Sequence, residues 1–479
     1  MSARILHGSL IASSSAGVWF GTLVPELWFL AIVGFAVFMY GLLFHANSTL
    51  SAYTRGAVVG FASGGAGVYW MWNMLPMVDS SGASAPAQWT LVAIVWGVTS
   101  LLAALSSGAA GVLIYLVRKS TFIAPMAACI WIIQEEARMW LYALYSYSTE
   151  SLFGPHFSQT AIGYALASQS YLLQLAYPFG LVALTFSLVI FATTLAYVMR
   201  RILGHSFSLA SRIAVLITAV LALYPLVFHA EVATGRPLRA AVFSTTNGTS
   251  PQALFEKTVI ENPNLDLVIF PEGIDPTFAT DQSYLDRIFK DRNTLIVSSR
   301  HAATGSHAYT GDIVYRSVRG GELATYQKLF LMPQGEYLPA IAEFLYPLSG
   351  NAAALQYAQT LGDRLVRGPG LVVQEHDGYI VGGLLCSDLL SPHLYRSLVE
   401  RHGADILLNL ANPSWFHGSR TYHDKTVQIA RVHAVENARP LIVASNDAPS
   451  YIVTSKGNVT AMTAWGMPSV LVETVLLPN

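Results

Sequence analysis

Charged residues are rare from Met1 to Ala230 of this 479-residue chain and crowd into its second half. That partition limits the possible folds more than any motif does. Overall the chain is 53% hydrophobic and 11% charged, against about 25% charged in soluble domains, and its mean hydropathy is +0.46. An apolar run of about 20 residues crosses a bilayer core as a helix. Seven such runs can be read: Ile5–Leu23, Leu27–Phe44, Gly56–Met77, Trp89–Val117, Phe122–Leu144, Tyr171–Met199 and Ile213–Ala230. The first is serine-rich but lacks a cleavage site and is followed at once by another apolar run, which reads as a retained span. From Glu231 onward the composition is that of a soluble α/β domain, and Thr234-Gly235-Arg236-Pro237 reads as a linker. The expected organisation is a transmembrane domain of about seven helices over 1–230 and an α/β domain over 231–479.

The loops alternate in charge. Arg4, Arg55, Arg118-Lys119, Arg200-Arg201 and Arg212 fall on one side, whereas Glu26, Asp79 and Glu150 fall on the other. The positive-inside rule places the first set in the cytoplasm. Seven spans then carry everything after Ala230 to the outer face. Val470 to Asn479 is too short to return, so the C-terminus is expected outside. A net charge of −1 offers no basic field for nucleic acid. Two distant cysteines give no disulfide framework.

Within the fifth run, Gln134-Glu135-Glu136-Ala137-Arg138 puts Glu135 and Arg138 at helix-pair spacing. They either neutralise each other or form a polar contact near the second domain or a lipid headgroup. The loop Tyr147–Tyr164, with Phe153 and Phe157, is expected at the membrane surface near the site or as an interfacial anchor.

The second half alternates strands with helices, which fits a layered α/β domain. Tyr379–Leu385 reads as a buried strand ending on Cys386, and Ser391-Pro392 as a helix start with a serine cap. A free cysteine is commonly a small buried hydrophobe. At a strand end it is also where a nucleophile stands. Two other strand ends carry complementary groups. Leu267-Val268-Ile269-Phe270-Pro271 leads into Glu272, and Tyr326-Gln327 leads into Lys328, followed by the loop Pro333-Gln334-Gly335-Glu336-Tyr337-Leu338-Pro339. A thiol is mostly protonated at neutral pH, so Cys386 needs a base, Glu272, and a cation, Lys328, able to hold an oxyanion. Thirteen histidines are scattered without an HExxH or CxxC pattern, so neither a metal nor another cofactor is expected.

The order Glu272, Lys328, Cys386 resembles the Glu-Lys-Cys triad of the nitrilase superfamily. The loop around Glu336, Asn412-Pro413-Ser414-Trp415-Phe416, and the stretch Gln428–Pro440 resemble the apolipoprotein N-acyltransferases, the membrane-bound branch of that superfamily. The resemblance covers Arg239 to Lys456 and, more weakly, the apolar half. It implies an α-β-β-α sandwich and supporting roles for Glu336 and Asp388. It also implies a pocket near Trp415 and Phe416 and membrane-touching arms within Ile341–Leu365. Its substrates would be a phospholipid acyl donor and a lipoprotein acceptor at the outer face of a bacterial inner membrane. The chain departs from the family at Phe270, Ser387, Asp388 and Pro413-Ser414, and in lacking a last transmembrane helix. Those departures leave open a divergent conjugal-transfer relative acting on another amine or amide, and a non-catalytic membrane scaffold.

Overall fold

The computed structural model describes residues 3–77, 85–230, 234–246, 250–289, 292–305, 308–333, 335–348 and 364–478. Asp79, Glu231, Gln334 and most of the arm segment Ile341–Leu365, which entered the sequence reading, lie outside them. The chain packs as two compact units. One holds Met1–Tyr142, Phe157–Ala230 and Ser419–Glu436, and the other holds Ala143–His156, Glu231–Gly418 and Asn437–Asn479.

The first unit is helical. It contains α1 (Ala3–Leu23), α2 (Trp28–Tyr40), α3 (Thr49–Gly67), α4 (Ala85–Val117), α5 (Ile123–Tyr145), the short α6 (Ser170–Leu173), α7 (Leu181–Ile202) and α8 (Leu209–Val227). Among the described residues four stretches are long and apolar enough to cross a membrane: Pro25–His45, Gln88–Val117, Leu181–Ile202 and Leu209–Val227. Among the remaining long helices, serines and glycines dilute α1 and α3, and α5 carries Glu135, Glu136 and Arg138. The run Tyr171–Met199 is not one helix. Pro178 and Gly180 interrupt it, and Gly180 at φ 63 caps α7 in a conformation that favours glycine.

Glu135 and Arg138 do not pair as a salt bridge. The buried Glu135 carboxylate accepts instead from the Ile162 N–H at 2.9 Å and the Thr185 hydroxyl at 2.8 Å. Backbones approach closely along α3 and α4: a Cβ on Gly60 would lie 2.5 Å from the Ala103 carbonyl oxygen. Small residues permit such contact between apolar helices.

The second unit contains two sheets. The first has the order β13-β1-β2-β3-β4-β5, with β6 paired to β4. Its strands are β1 (Pro237–Ser244), β2 (Leu267–Ile269), β3 (Leu295–Ala303), β4 (Ala308–Ser317), β5 (Gly321–Gln327), β6 (Arg364–Leu365) and β13 (Ser469–Leu476). The second has the order β12-β11-β10-β9-β8-β7. It comprises β7 (Val373–His376), β8 (Tyr379–Leu385), β9 (Ile406–Ala411), β10 (Leu441–Ser445), β11 (Tyr451–Val453) and β12 (Val459–Met462).

Helices α9 (Gln252–Glu261) and α10 (Gln282–Phe289) cover the first sheet through Phe255, Tyr284 and Phe289, which pack on Phe243 and Phe270. Helix α12 (Leu394–Glu400) lies against the second sheet, where Leu398 closes over Gly382. α11 (Ala340–Leu348) precedes α12, and α13 (Arg420–Asn437) follows it in the chain. Between the sheets the Gly383 N–H on β8 donates to the Tyr315 hydroxyl on β4 at 2.9 Å. The layers run helix, sheet, sheet, helix, as the sequence reading anticipated.

One local expectation changes. Ser391 caps no α-helix: α12 begins at Leu394 after a 3-10 turn, Cys386–Leu390, and the buried Ser391 hydroxyl instead meets His156. The segment after Val470 belongs to β13, which pairs antiparallel with β1 from Pro237↔Leu476 to Ser244↔Ser469.

The α3–α4 contact sets a testable expectation. Gly60→Ala should lower the thermal midpoint in detergent, with overpacking costing about 1–3 kcal/mol. Gly97→Ala, whose Cβ meets nothing within 4 Å, should leave stability unchanged or raise it by up to about 1 kcal/mol. Equal effects at both sites would show that the seam is not tightly packed.

Candidate active site

Three strand ends converge. β2 leads into Glu272, β5 into Lys328 and β8 into Cys386. Lys328 is 1% exposed, and its Nζ lies 2.5 Å from Glu336 Oε1 and 3.5 Å from Glu272 Oε1. The second Glu336 oxygen accepts from the Met332 N–H at 2.7 Å, which closes its own loop around the lysine. The Asn446 amide donates to the Glu272 carbonyl at 2.6 Å and fixes the turn that presents the carboxylate.

Cys386 adopts φ 43, a left-handed conformation unusual for a residue with a Cβ. It retains contact with solvent, yet the atoms packed around it strongly desolvate the thiol. Burial pushes the thiol well above its ordinary range, and Glu272 adds to the shift; Lys328 and the Asn412 N–H oppose it. Burial alone would lower the Lys328 ammonium, but Glu272, Glu336, Cys386 and Asp388 together hold it well above its ordinary range. At neutral pH the resting site therefore sets a protonated thiol beside a fixed ammonium. Proton transfer from the thiol to Glu272 would leave a thiolate beside a cation.

Asp388 is fully buried and joins the lysine loop to the cysteine turn. It accepts from the Tyr326 hydroxyl at 2.7 Å, the Phe330 N–H at 2.6 Å and the Leu385 N–H at 3.0 Å. The Ser387 hydroxyl adds a second stitch by donating to the Phe330 carbonyl at 2.6 Å. The sequence reading missed Tyr326, although it stands two residues before Lys328 and so on the same side of an extended chain.

His156 was also missed. Its Nδ1 lies 2.8 Å from Ser391 Oγ, and its ring centroid is 5.7 Å from that of Phe330. Burial, helped by His393, pushes its imidazole down to about 4, so it is neutral at physiological pH. The same segment anchors the Glu336 loop, where the Tyr337 hydroxyl donates to the Ser146 carbonyl and the Ala340 N–H to the Tyr147 carbonyl. No local sequence pattern links residues so far apart.

Trp415 and Phe416 lie on the 3-10 turn Pro413–Phe416 after β9, with Trp415 48% exposed. Asn412, just before that turn, is the residue whose N–H reaches the thiol. Among the described residues no group of three or more histidine, cysteine or acidic side chains is placed to hold a metal.

Residues 252–478 match the carbon-nitrogen hydrolase family. The chain as a whole is similar to the apolipoprotein N-acyltransferases. It is 26% identical to that of Pseudomonas syringae pv. tomato over 95% of this chain and 88% of the relative. It is 32% identical to that of Bdellovibrio bacteriovorus over 41% of this chain and 38% of the relative. Among solved structures, an amidase from Nesterenkonia sp. is 20% identical with a TM-score of 0.37, covering 51% of this chain and 92% of the amidase.

The environment of Asp388 yields a pH dependence. Burial pushes its carboxyl from 3.8 up to about 6, against the opposing pull of Lys328 and its three donors. Between those values the folded protein holds a proton that the unfolded chain has released. Stability should therefore fall as pH rises through that window, by about 3 kcal/mol in all. Thermal midpoints of the wild type and Asp388→Asn, compared from pH 4 to 7, should diverge in that sense. Parallel curves would refute the buried-carboxyl assignment.

Proposed function

We propose that this chain is a membrane-embedded N-acyltransferase that works through a thioester on Cys386. The observation that carries the reading is the buried Lys328 ammonium between Glu272 and Glu336, electrostatically coupled to the Cys386 thiol. The apolar helices of the first unit and the similarity along 95% of the chain to an apolipoprotein N-acyltransferase support it.

The acyl donor is a phospholipid. Glu272 takes the thiol proton as sulfur attacks the ester carbonyl, and Lys328 holds the oxyanion. Glu272 returns the proton to the departing alkoxide, which leaves as a lysophospholipid. The acceptor is the N-terminal amine of a lipoprotein. It attacks the thioester, passes a proton through Glu272 and releases the cysteine thiol. Glu336 orients Lys328, Asp388 holds its loop in register, and Trp415 and Phe416 border the acceptor path. The reaction takes place on the periplasmic face of the inner membrane, with residues 1–230 as the membrane domain and 231–479 as the catalytic domain.

Purified protein mixed with phospholipid should gain one acyl mass that neutral hydroxylamine removes. The adduct should be absent in Cys386→Ala. Glu272→Gln and Lys328→Ala should each slow its formation by about 10²–10⁴-fold while the protein stays folded. Near-normal rates in either variant would overturn the assignment of that residue.

Orientation is checked separately. Alkaline phosphatase fused after Asn479 should be active and green fluorescent protein dark. The reverse result would place the site in the cytoplasm and exclude lipoprotein as the acceptor.

A further inference from the structure

Of the two carboxylates beside Lys328, Glu272 has the weaker hold on it, at 3.5 Å against 2.5 Å for Glu336. Its place is therefore set by its own backbone turn more than by the cation. That turn runs on through Gly273 and Ile274 to Asp275, and neighbours hold it at successive positions. The Asn446 amide donates to the Glu272 carbonyl at 2.6 Å. The Gly273 N–H donates to the Ser299 hydroxyl at 3.0 Å, and the Ser299 N–H donates to the Ile274 carbonyl at 3.1 Å. Asp275 is held by an ion pair. Arg316 of β4, only 3% exposed, donates from both terminal nitrogens to the Asp275 carboxylate, at 2.5 and 2.9 Å. The Ser298 hydroxyl of β3 donates to the same carboxylate at 2.8 Å and accepts from Arg316 at 2.7 Å.

This pair suits positioning better than stabilisation. A buried ion pair adds little net stability, because desolvation offsets its attraction. Two parallel bonds between a guanidinium and a carboxylate nevertheless fix orientation as well as distance. The strand that carries Arg316 also serves the cysteine. Its neighbour Tyr315 accepts from the Gly383 N–H of β8, the strand that ends at Cys386. Adjacent residues of β4 thus reach the turn of the base and the strand of the nucleophile. Toward solvent, Arg316 lies 3.7 Å from the half-exposed Glu322 carboxylate, which both terminal nitrogens of Arg300 bind at 3.1 Å. Glu322 has no direct bond to the turn and so offers a charge control.

We infer that Arg316 and Asp275 form a positioning pair that sets where the Glu272 carboxylate stands relative to Lys328 and the Cys386 thiol. Both act through the turn. The inference rests on the reading of Glu272 as the base for Cys386, and not on the identity of the acyl donor.

The test uses the full-length protein in detergent and reads two reactions at Cys386. One is alkylation by iodoacetamide, followed on the Cys386 peptide by mass spectrometry; the other is acylation by phospholipid. Asp275→Asn and Arg316→Lys should each lower the alkylation rate constant about 10–100-fold, the loss expected when a reacting group is misplaced. The fraction of protein that reacts should not change. Added to Glu272→Gln, Asp275→Asn should slow alkylation no further, because a positioning residue has no effect once the group it positions is gone. Glu322→Gln should react at the wild-type rate. If Asp275→Asn fails to fold, Arg316→Lys decides by its own rate, since it keeps the charge and loses only the two-pronged bond. A wild-type rate constant in either folded variant, a loss confined to the reacting fraction, or further slowing in the Glu272→Gln background would overturn the inference. So would a Glu272→Gln variant that alkylates like the wild type. If the variants lose alkylation as expected while the wild type takes no acyl chain from phospholipid, the pair keeps its role and the acyl-transfer reading falls.

Discussion

The buried ion cluster around Lys328 is the constraint on which the candidate site depends. Taking an ammonium out of water costs several kcal/mol unless opposite charges and hydrogen bonds replace the lost hydration. Here the replacement comes from two carboxylates carried by separate loops, so the lysine can be buried only when both loops are in place. Their contacts are unequal, at 2.5 Å to Glu336 and 3.5 Å to Glu272. Glu336 is also tied to its own loop backbone. The shorter, better-anchored contact fixes the cation. Glu272 and Glu336 reinforce burial in pushing the Cys386 thiol above its ordinary range, and Lys328 opposes them.

Cys386 brings a second requirement. A left-handed residue with a Cβ costs about 1–3 kcal/mol and persists only where its surroundings over-determine it. Asp388 accepts from the Leu385 N–H on one side of the cysteine. The buried Asn409 amide lies 3.4 Å from the Leu384 carbonyl and 3.3 Å from that of Cys386. Because Asp388 also binds Tyr326 and Phe330, the groups that hold the strained cysteine hold the lysine loop as well. The short Asp388 side chain has three donors within reach. Ser387 adds a bond to the Phe330 carbonyl. The departures from the family pattern at these positions are thus accommodated by the same local network.

Much of this was legible in the sequence because the candidate site residues stand at ends of strongly apolar strands. Tyr379–Leu385 and Ile406–Ala411 are buried nearly throughout, and such runs announce themselves without tertiary information. The edges were harder. Val459–Met462 and Ser469–Leu476 are half-exposed, so their apolar content is diluted and only pairing with β11 and β1 makes them strands. Ser391-Pro392 carries a capping signal that its bond to His156 overrides. In the helical unit, Glu135 and Arg138 have ideal pairing spacing, but Ile162 and Thr185 compete successfully for the carboxylate. In each case a partner distant in sequence outweighs a local rule.

The two buried lysines show the same limit most sharply. Lys328 and Lys425 are 1% and 5% exposed, and burial disfavours the charge on both. Carboxylates surround the first and reverse the effect, so its ammonium is held well above its ordinary range. The second has an aromatic face, an arginine and one engaged glutamate for company, and its proton is held far more weakly. Nothing in the residues adjacent to either one distinguishes them: Lys328 follows a glutamine and Lys425 follows an aspartate. The difference lies in which carboxylates the fold delivers and which are already bound elsewhere. A buried lysine matched by carboxylates can serve as a fixed cation in catalysis. One without them holds its proton more weakly.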